Sequence, residues 1–262
     1  MISTLLQYQL VTRDMTRSID LVAQQPMVER ETEYYLSRIG DIDSIDEFLA
    51  DDRVYAYAMK ASGLGDMTYA KAFMRKALEE GIDDRNSFAN KLADTRYKDF
   101  VTTFNFARYG ETATVFSRAQ EGVVEAYKRQ TLEESEGASN EGVRLALYFA
   151  RKAEGIDSAY DILADRALAQ TIYTALGLPE SFAMADLDKQ AAYISERIDF
   201  EKLKDPEYLD DLLQRFSTLY DLENGTAAAT SPALTILTSG QQTVTIGENL
   251  LASIQKLKFG GS

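Results

Sequence analysis

Residues 42–64 read IDSIDEFLADDRVYAYAMKASGL, and residues 156–178 read IDSAYDILADRALAQTIYTALGL. The two stretches are offset by 114 residues throughout, and 9 of their 23 aligned positions are identical. Most mismatches keep an apolar residue apolar, as in Phe48 for Ile162, Val54 for Leu168 and Met59 for Tyr173. Each copy is punctuated as two short helices. Ser44-x-x-Glu47 and Ser158-x-x-Asp161 have capping-box spacing, in which the serine accepts an orphan N–H and the carboxylate reaches back. Asp51 and Asp165 fall where a second N-cap is wanted, and Gly63 and Gly177 where a left-handed residue ends a helix. The expectation is an all-α protein made of two sequence-duplicated helical bundles in pseudo-twofold relation.

Working outward, Val11, Met15, Ile19 and Val22 form one amphipathic helical stripe over residues 5–22, followed by a helix that Pro26 opens. Downstream of the first copy, Asp66 is read as the N-cap of a helix ending at Gly81, with Tyr69, Phe73, Met74 and Leu78 as its apolar positions. Further helices are expected over 84–92, 97–106 and 112–132. The acidic, glycine-bearing EESEGASNEG at 133–142 is the expected boundary between halves. The echo continues past the 23-residue copies, because KLADTRY at 91–97 answers KLKDPEY at 202–208. This organisation gives an N-terminal half over 1–135, a second half over 140–222 and a loosely held tail over 223–262. In that tail LTILTSGQQTVTI suggests a short β-hairpin, followed by an amphipathic turn at Leu250, Leu251, Ile254 and Leu257.

Composition narrows the chemistry. The chain of 262 residues carries 28 Lys and Arg against 42 Asp and Glu, a net charge of −14. Such a balance disfavours nucleic acid and anionic membrane surfaces, which need clustered cations. It has no His, Cys or Trp, so disulfides, His/Cys zinc sites and histidine-based triads are excluded. No apolar run approaches the roughly 18 residues of a membrane span, and MISTLLQYQLVTRDMTRS lacks the layout of a Sec signal peptide. No cofactor, metal or catalytic residue is expected. The acidic run from Asp41 to Glu47 lacks the glycine and terminal glutamate of an EF-hand loop and reads as helix capping.

One basic patch stands out as a candidate for a partner or ligand: Lys60, Lys71, Arg75 and Lys76, with Tyr69 beside them. In the second copy the corresponding positions hold Thr174, Ala185, Lys189 and Gln190, so the scaffold does not require these cations. Against this stands a solvated helix face with i,i+4 pairs to Glu79 and Glu80.

The strings SIDEFLADDRVYAYAMKASGL, DMTYAKAFMRKALEEG, FNFARYGE, NEGVRLALYFARKA, SAYDILADRALAQT and DPEYLDDLLQRF resemble an alphaproteobacterial family called domain of unknown function 1217. Its members are often encoded among flagellar basal-body and hook genes. The resemblance implies a non-enzymatic structural or assembly protein of the flagellum, cytoplasmic or exported by the flagellar type III route, whose partners are other flagellar proteins. It supplies no catalytic or binding residues. As in flagellar axial proteins, residues 5–22 and 250–257 would then meet in a coiled-coil-like seam. The alternative is a ligand-binding regulator, or an enzyme using carboxylates and lysine in the groove between the halves. It requires Lys71, Arg75 or Lys76 to line a concave pocket.

Overall fold

The repeated punctuation folds as its chemistry dictates. In the computed structural model, which describes residues 2–224, the Ser44 hydroxyl accepts the Glu47 N–H at 3.2 Å while the Glu47 carboxylate accepts the Asp43 N–H at 3.0 Å. Ser158, Asp161 and Asp157 form the same reciprocal pair of bonds at 3.4 and 3.2 Å. Asp51 caps the N–H groups of Arg53 and Val54, and Asp165 those of Ala167 and Leu168. Gly63 at φ 70° and Gly177 at φ 65° close their helices in Schellman turns, with Leu64 N–H on Met59 O and Leu178 N–H on Tyr173 O. One further bond recurs at the same offset outside the matched stretches. The Tyr34 hydroxyl donates to Asp51 Oδ2 at 3.0 Å, and the Tyr148 hydroxyl to Asp165 Oδ2 at 2.5 Å.

The helices are α1 Thr4–Thr12, α2 Met15–Ala23, α3 Pro26–Ile39, α4 Ile45–Ala50, α5 Asp52–Ala61, α6 Lys71–Glu80 and α7 Thr95–Thr103. They continue as α8 Phe106–Tyr109, α9 Glu121–Ser139, α10 Glu141–Lys152, α11 Ala159–Leu163, α12 Arg166–Ala175, α13 Leu187–Ser195 and α14 Pro206–Glu223. Among the described residues there is no strand. The fold is an all-α bundle with short 3₁₀ turns between helices. The chain divides after Asn224, and the hairpin and amphipathic segment expected in the tail lie outside the described residues.

The long helix α9 organises the packing, lying against α2 and α5 on the N-terminal side and against α10 on the other. A ladder of rings ties it to the first half: Tyr35 stacks on Tyr57 at 4.5 Å and Tyr57 on Tyr127 at 3.8 Å. Burial pushes the Tyr57 phenol above its usual range, its hydrogen bond with Thr32 only partly opposing this. A second aromatic knot gathers Phe48, Phe100, Phe104 and Phe106. One continuous apolar cluster runs from Tyr8 on α1 to Tyr220 on α14.

Several expected elements differ. The stripe over 5–22 is broken into α1 and α2 at Asp14, whose carboxylate caps the Arg17 N–H at 3.1 Å. Asp66 does not cap α6: it sits in a 3₁₀ turn, Gly65–Met67, and α6 begins at Lys71 after the uncapped Ala70. Residues 84–92 are turns ending in the 3₁₀ segment Ala89–Lys91. There Asp84 accepts the Asn86 N–H, and the Asn90 amide donates to the carbonyls of Ile82 and Asp84, local bonds that compete with helix. α9 starts only at Glu121, well past Thr112. The stretch 133–142 is helix through Ser139, then a one-residue corner. Asn140 ends α9 and caps α10, its side chain accepting the Gly142 N–H at 3.0 Å.

At that corner α1 is moored. Thr4 N–H donates to Asp221 Oδ2 at 2.9 Å, Asn140 Nδ2 donates to Thr4 Oγ1 at 3.0 Å, and Gln7 Nε2 donates to Glu136 at 2.7 Å.

Asp51 yields a test of the capping chemistry. Burial pushes its carboxyl up, but the N–H groups of Val54 and Arg53, the Tyr34 hydroxyl and the Arg38 charge outweigh this and hold it below the usual value. A depressed carboxyl contributes stability above its unfolded pKa, near 4, and loses it as pH falls through the lower folded value. The stability gap between wild type and Asp51→Asn is therefore expected to shrink between pH 6 and pH 3, read as urea midpoints. A gap that widens on acidification contradicts the assignment.

Candidate functional site

The structure disperses the basic patch. Lys71, on the first turn of α6, donates to Leu49 O at 2.6 Å and to Asp52 Oδ1 at 2.5 Å. Arg75 pairs with Asp46 at 2.6 Å, and Lys76 lies 3.9 Å from Glu80 and over the Phe88 ring. Tyr69, expected as an apolar packing position, is 79% exposed, because the helix it was assigned to starts two residues later. Lys60 belongs to another surface, paired with Glu134 of α9 at 2.9 Å and set over the Tyr127 ring. All four cations are thus engaged by carboxylates, three of which (Asp46, Asp52 and Glu134) come from other helices. A helix-face reading covers only the Lys76–Glu80 and Arg75–Glu79 pairs.

The strongest charge cluster is one that sequence reading missed. Glu133 on α9 has a side chain only 1% exposed. Arg129 approaches it at 3.1 Å, while Arg151 on α10 grips both carboxylate oxygens at 2.7 and 2.8 Å. Arg151 also donates to Gln130 at 3.2 Å. The hint was present in Arg129-x-x-x-Glu133, an i,i+4 pair, but it ran into the stretch read as the boundary between halves. This node joins α9 to α10 and so holds the two sides of the molecule in register.

Two cavities bear on chemistry. One, of about 480 Å³, has Lys60, Arg96 and Arg144 on its walls with Asp66 and Glu134. Its Arg96 is clasped by Asp94, whose hydrogen bonds push the guanidinium further up against the opposing effect of burial, and it also donates to Gly63 O. The second, of about 880 Å³, opens between α12, α13 and the end of α14. Neither cavity is lined by Lys71, Arg75 or Lys76. Among the described residues no group of three or more acidic side chains could hold a metal ion, and no helix is long and apolar enough to cross a membrane. In the run from Asp41 to Glu47, Glu47 serves its helix cap and Asp46 pairs with Arg75.

Helix packing and paired charges together define an all-α bundle protein built around a buried glutamate–arginine node. Residues 61–209 match the family described as Protein of unknown function (DUF1217), and the chain belongs to that family. The X-ray crystal structure of protein AGR_C_984 from Agrobacterium tumefaciens is similar, with 48% sequence identity and a TM-score of 0.80. That likeness covers 86% of this chain and 97% of the other. No curated protein matches the chain.

Proposed function

We propose that this protein is a non-enzymatic structural or assembly protein of the flagellum that acts through protein–protein contacts. One observation carries the reading. α1 is held firmly on its inner side by Thr4, Tyr8 and Val11, yet it presents Leu6 and Leu10, 49 and 56% exposed, at i, i+4 spacing on its outer side, with Ile2, 55% exposed, just ahead of its N-cap Ser3. An anchored helix with an apolar outer face is a surface for another chain. The association with the flagellum rests on the family resemblance. The hydrogen bonds that recur 114 residues apart support reading the scaffold as an internal duplication of helical units.

The reading is tested by an immunoblot of cytoplasm, purified hook–basal bodies and culture supernatant, with and without the flagellar export gate. Gate-dependent signal outside the cytoplasm identifies an exported component. Cytoplasmic signal in both strains, together with a flagellation defect on gene deletion, identifies an assembly factor. A deletion strain with normal flagella and motility removes the proposal. Leu6→Asp with Leu10→Asp is expected to leave the melting curve within about 0.5 kcal/mol of wild type, as surface changes do, while reproducing the deletion phenotype.

A further inference from the structure

The cavity between α12, α13 and α14 borders a position at which the two matched stretches differ sharply in bulk. Ala169 lies on its wall. At the matching position 114 residues earlier stands Tyr55, fully buried, its ring edge-on to Phe48 at 6.0 Å. The second copy lacks that bulk, and the space beside α12 stays open. What surrounds it is firmly built. The Tyr173 hydroxyl donates to Gln190, and the buried Gln190 amide donates in turn to Ala185 O at 2.7 Å. The volume of about 880 Å³ falls within the range of ligand sites, and the walls mix apolar side chains such as Leu163, Ala169 and Leu187 with polar groups such as Gln170, Thr174 and Gln190.

Charge at the cavity is unbalanced. Glu180 and Glu223 both border it, and among the described residues neither forms an ion pair. Glu223 accepts a hydrogen bond from Thr174, yet burial, with the neighbouring Glu180 charge, pushes its carboxyl above the usual range. Arg166 also borders the cavity, from the first turn of α12, but is not among the groups acting on Glu223. Beside the opening, Leu187 of the lining is more than half exposed, and so is Met184 of the adjoining 3₁₀ turn.

We infer that this cavity receives a lysine or arginine side chain from a partner protein, its aliphatic stem on Ala169, Tyr173 and Leu187 and its cationic head between Glu180 and Glu223. Long basic side chains carry this combination of apolar stem and charged tip. The net charge of −14 favours a basic partner through long-range attraction. Exposed Leu187 and Met184 give flanking residues of a peptide apolar surface that a free amine would leave uncovered. The inference specifies the partner's chemistry within the protein-contact reading, but on helices other than α1.

The test titrates an acetylated, amidated Leu-Arg-Leu peptide into the full chain and follows the alanine methyl groups by NMR. Saturable shifts are expected at Ala169 and Ala183. Replacing the peptide's arginine by glutamine, or the protein's Glu180 and Glu223 by glutamine, is expected to weaken binding about tenfold. Ala169→Tyr fills the cavity and abolishes binding. If that variant does not fold, the Glu180→Gln/Glu223→Gln pair, on the surface, decides. Equal binding of the glutamine peptide, shifts confined to other surfaces, or unchanged binding to a folded Ala169→Tyr protein overturns the inference. Hexylamine binding as tightly as the peptide overturns it in favour of a small-amine site. Failure here with the α1 variants still defective leaves the protein-contact reading standing, whereas the reverse pattern removes α1 as its basis.

Discussion

Replacing Glu133 by alanine is expected to destabilise the protein by about 3 kcal/mol, the lower end of what removing one partner from a buried ion pair costs. The carboxylate is enclosed, while Arg129 and Arg151 retain side-chain exposures of 17 and 26%. Without Glu133 they lose three charge-assisted bonds, and Arg151 is left with its contact to Gln130. Partial access to water keeps the loss from reaching the top of the range. Glu133→Gln, which keeps shape and one acceptor, is expected to cost less, about 1–2 kcal/mol. Urea unfolding measures both, through the midpoint at constant slope. A Glu133→Ala midpoint equal to wild type means that the node does not hold α9 against α10.

Gly142→Ala is expected to reverse the usual sign of a glycine-to-alanine change in a helix. In an exposed helix the substitution stabilises by about 1 kcal/mol. At residue 142, on the first turn of α10, a new Cβ would lie 2.5 Å from the Tyr220 ring and 2.9 Å from the Thr4 methyl. Tyr220 is buried in α14 and Thr4 is moored to Asp221, so neither moves freely. Overpacking of this kind costs about 1–3 kcal/mol, and more where two elements must shift. The expected outcome is a net loss of about 2 kcal/mol, with faster hydrogen exchange in α1. A variant that melts above wild type shows that the three helices relax apart without cost.

What the sequence made legible follows the range of the interactions. Capping boxes and the glycines that end helices are decided within a few residues, and they fold as read. The gaps arise where local composition and tertiary packing conflict. EESEGASNEG reads as a boundary because glycine, serine and acids usually signal solvent, and a corner does fall at Asn140, but the residues on either side are packed helix. Here Gly142 admits Tyr220, and Glu133 is neutralised by arginines from two helices. The pairing of the basic patch was hidden for the same reason: the carboxylates that engage Lys60, Lys71 and Arg75 lie 74, 19 and 29 residues away in sequence. The Tyr55-to-Ala169 difference at the wall of the cavity beside α12 was visible in the sequence, but an alanine among apolar positions signals nothing until its surroundings are known.

The mooring of α1 imposes an order in time. Thr4 and Asp221 are 217 residues apart, and a ribosome adding about 5–20 residues per second reaches the second some 10–40 seconds after the first. Throughout that interval α1 lacks α14, although α10 and Asn140 arrive earlier, while Leu6 and Leu10 face outward in any case. Of the helices described, the first to be made is therefore the last to receive its full mooring, and until α14 arrives part of its inner face stays uncovered.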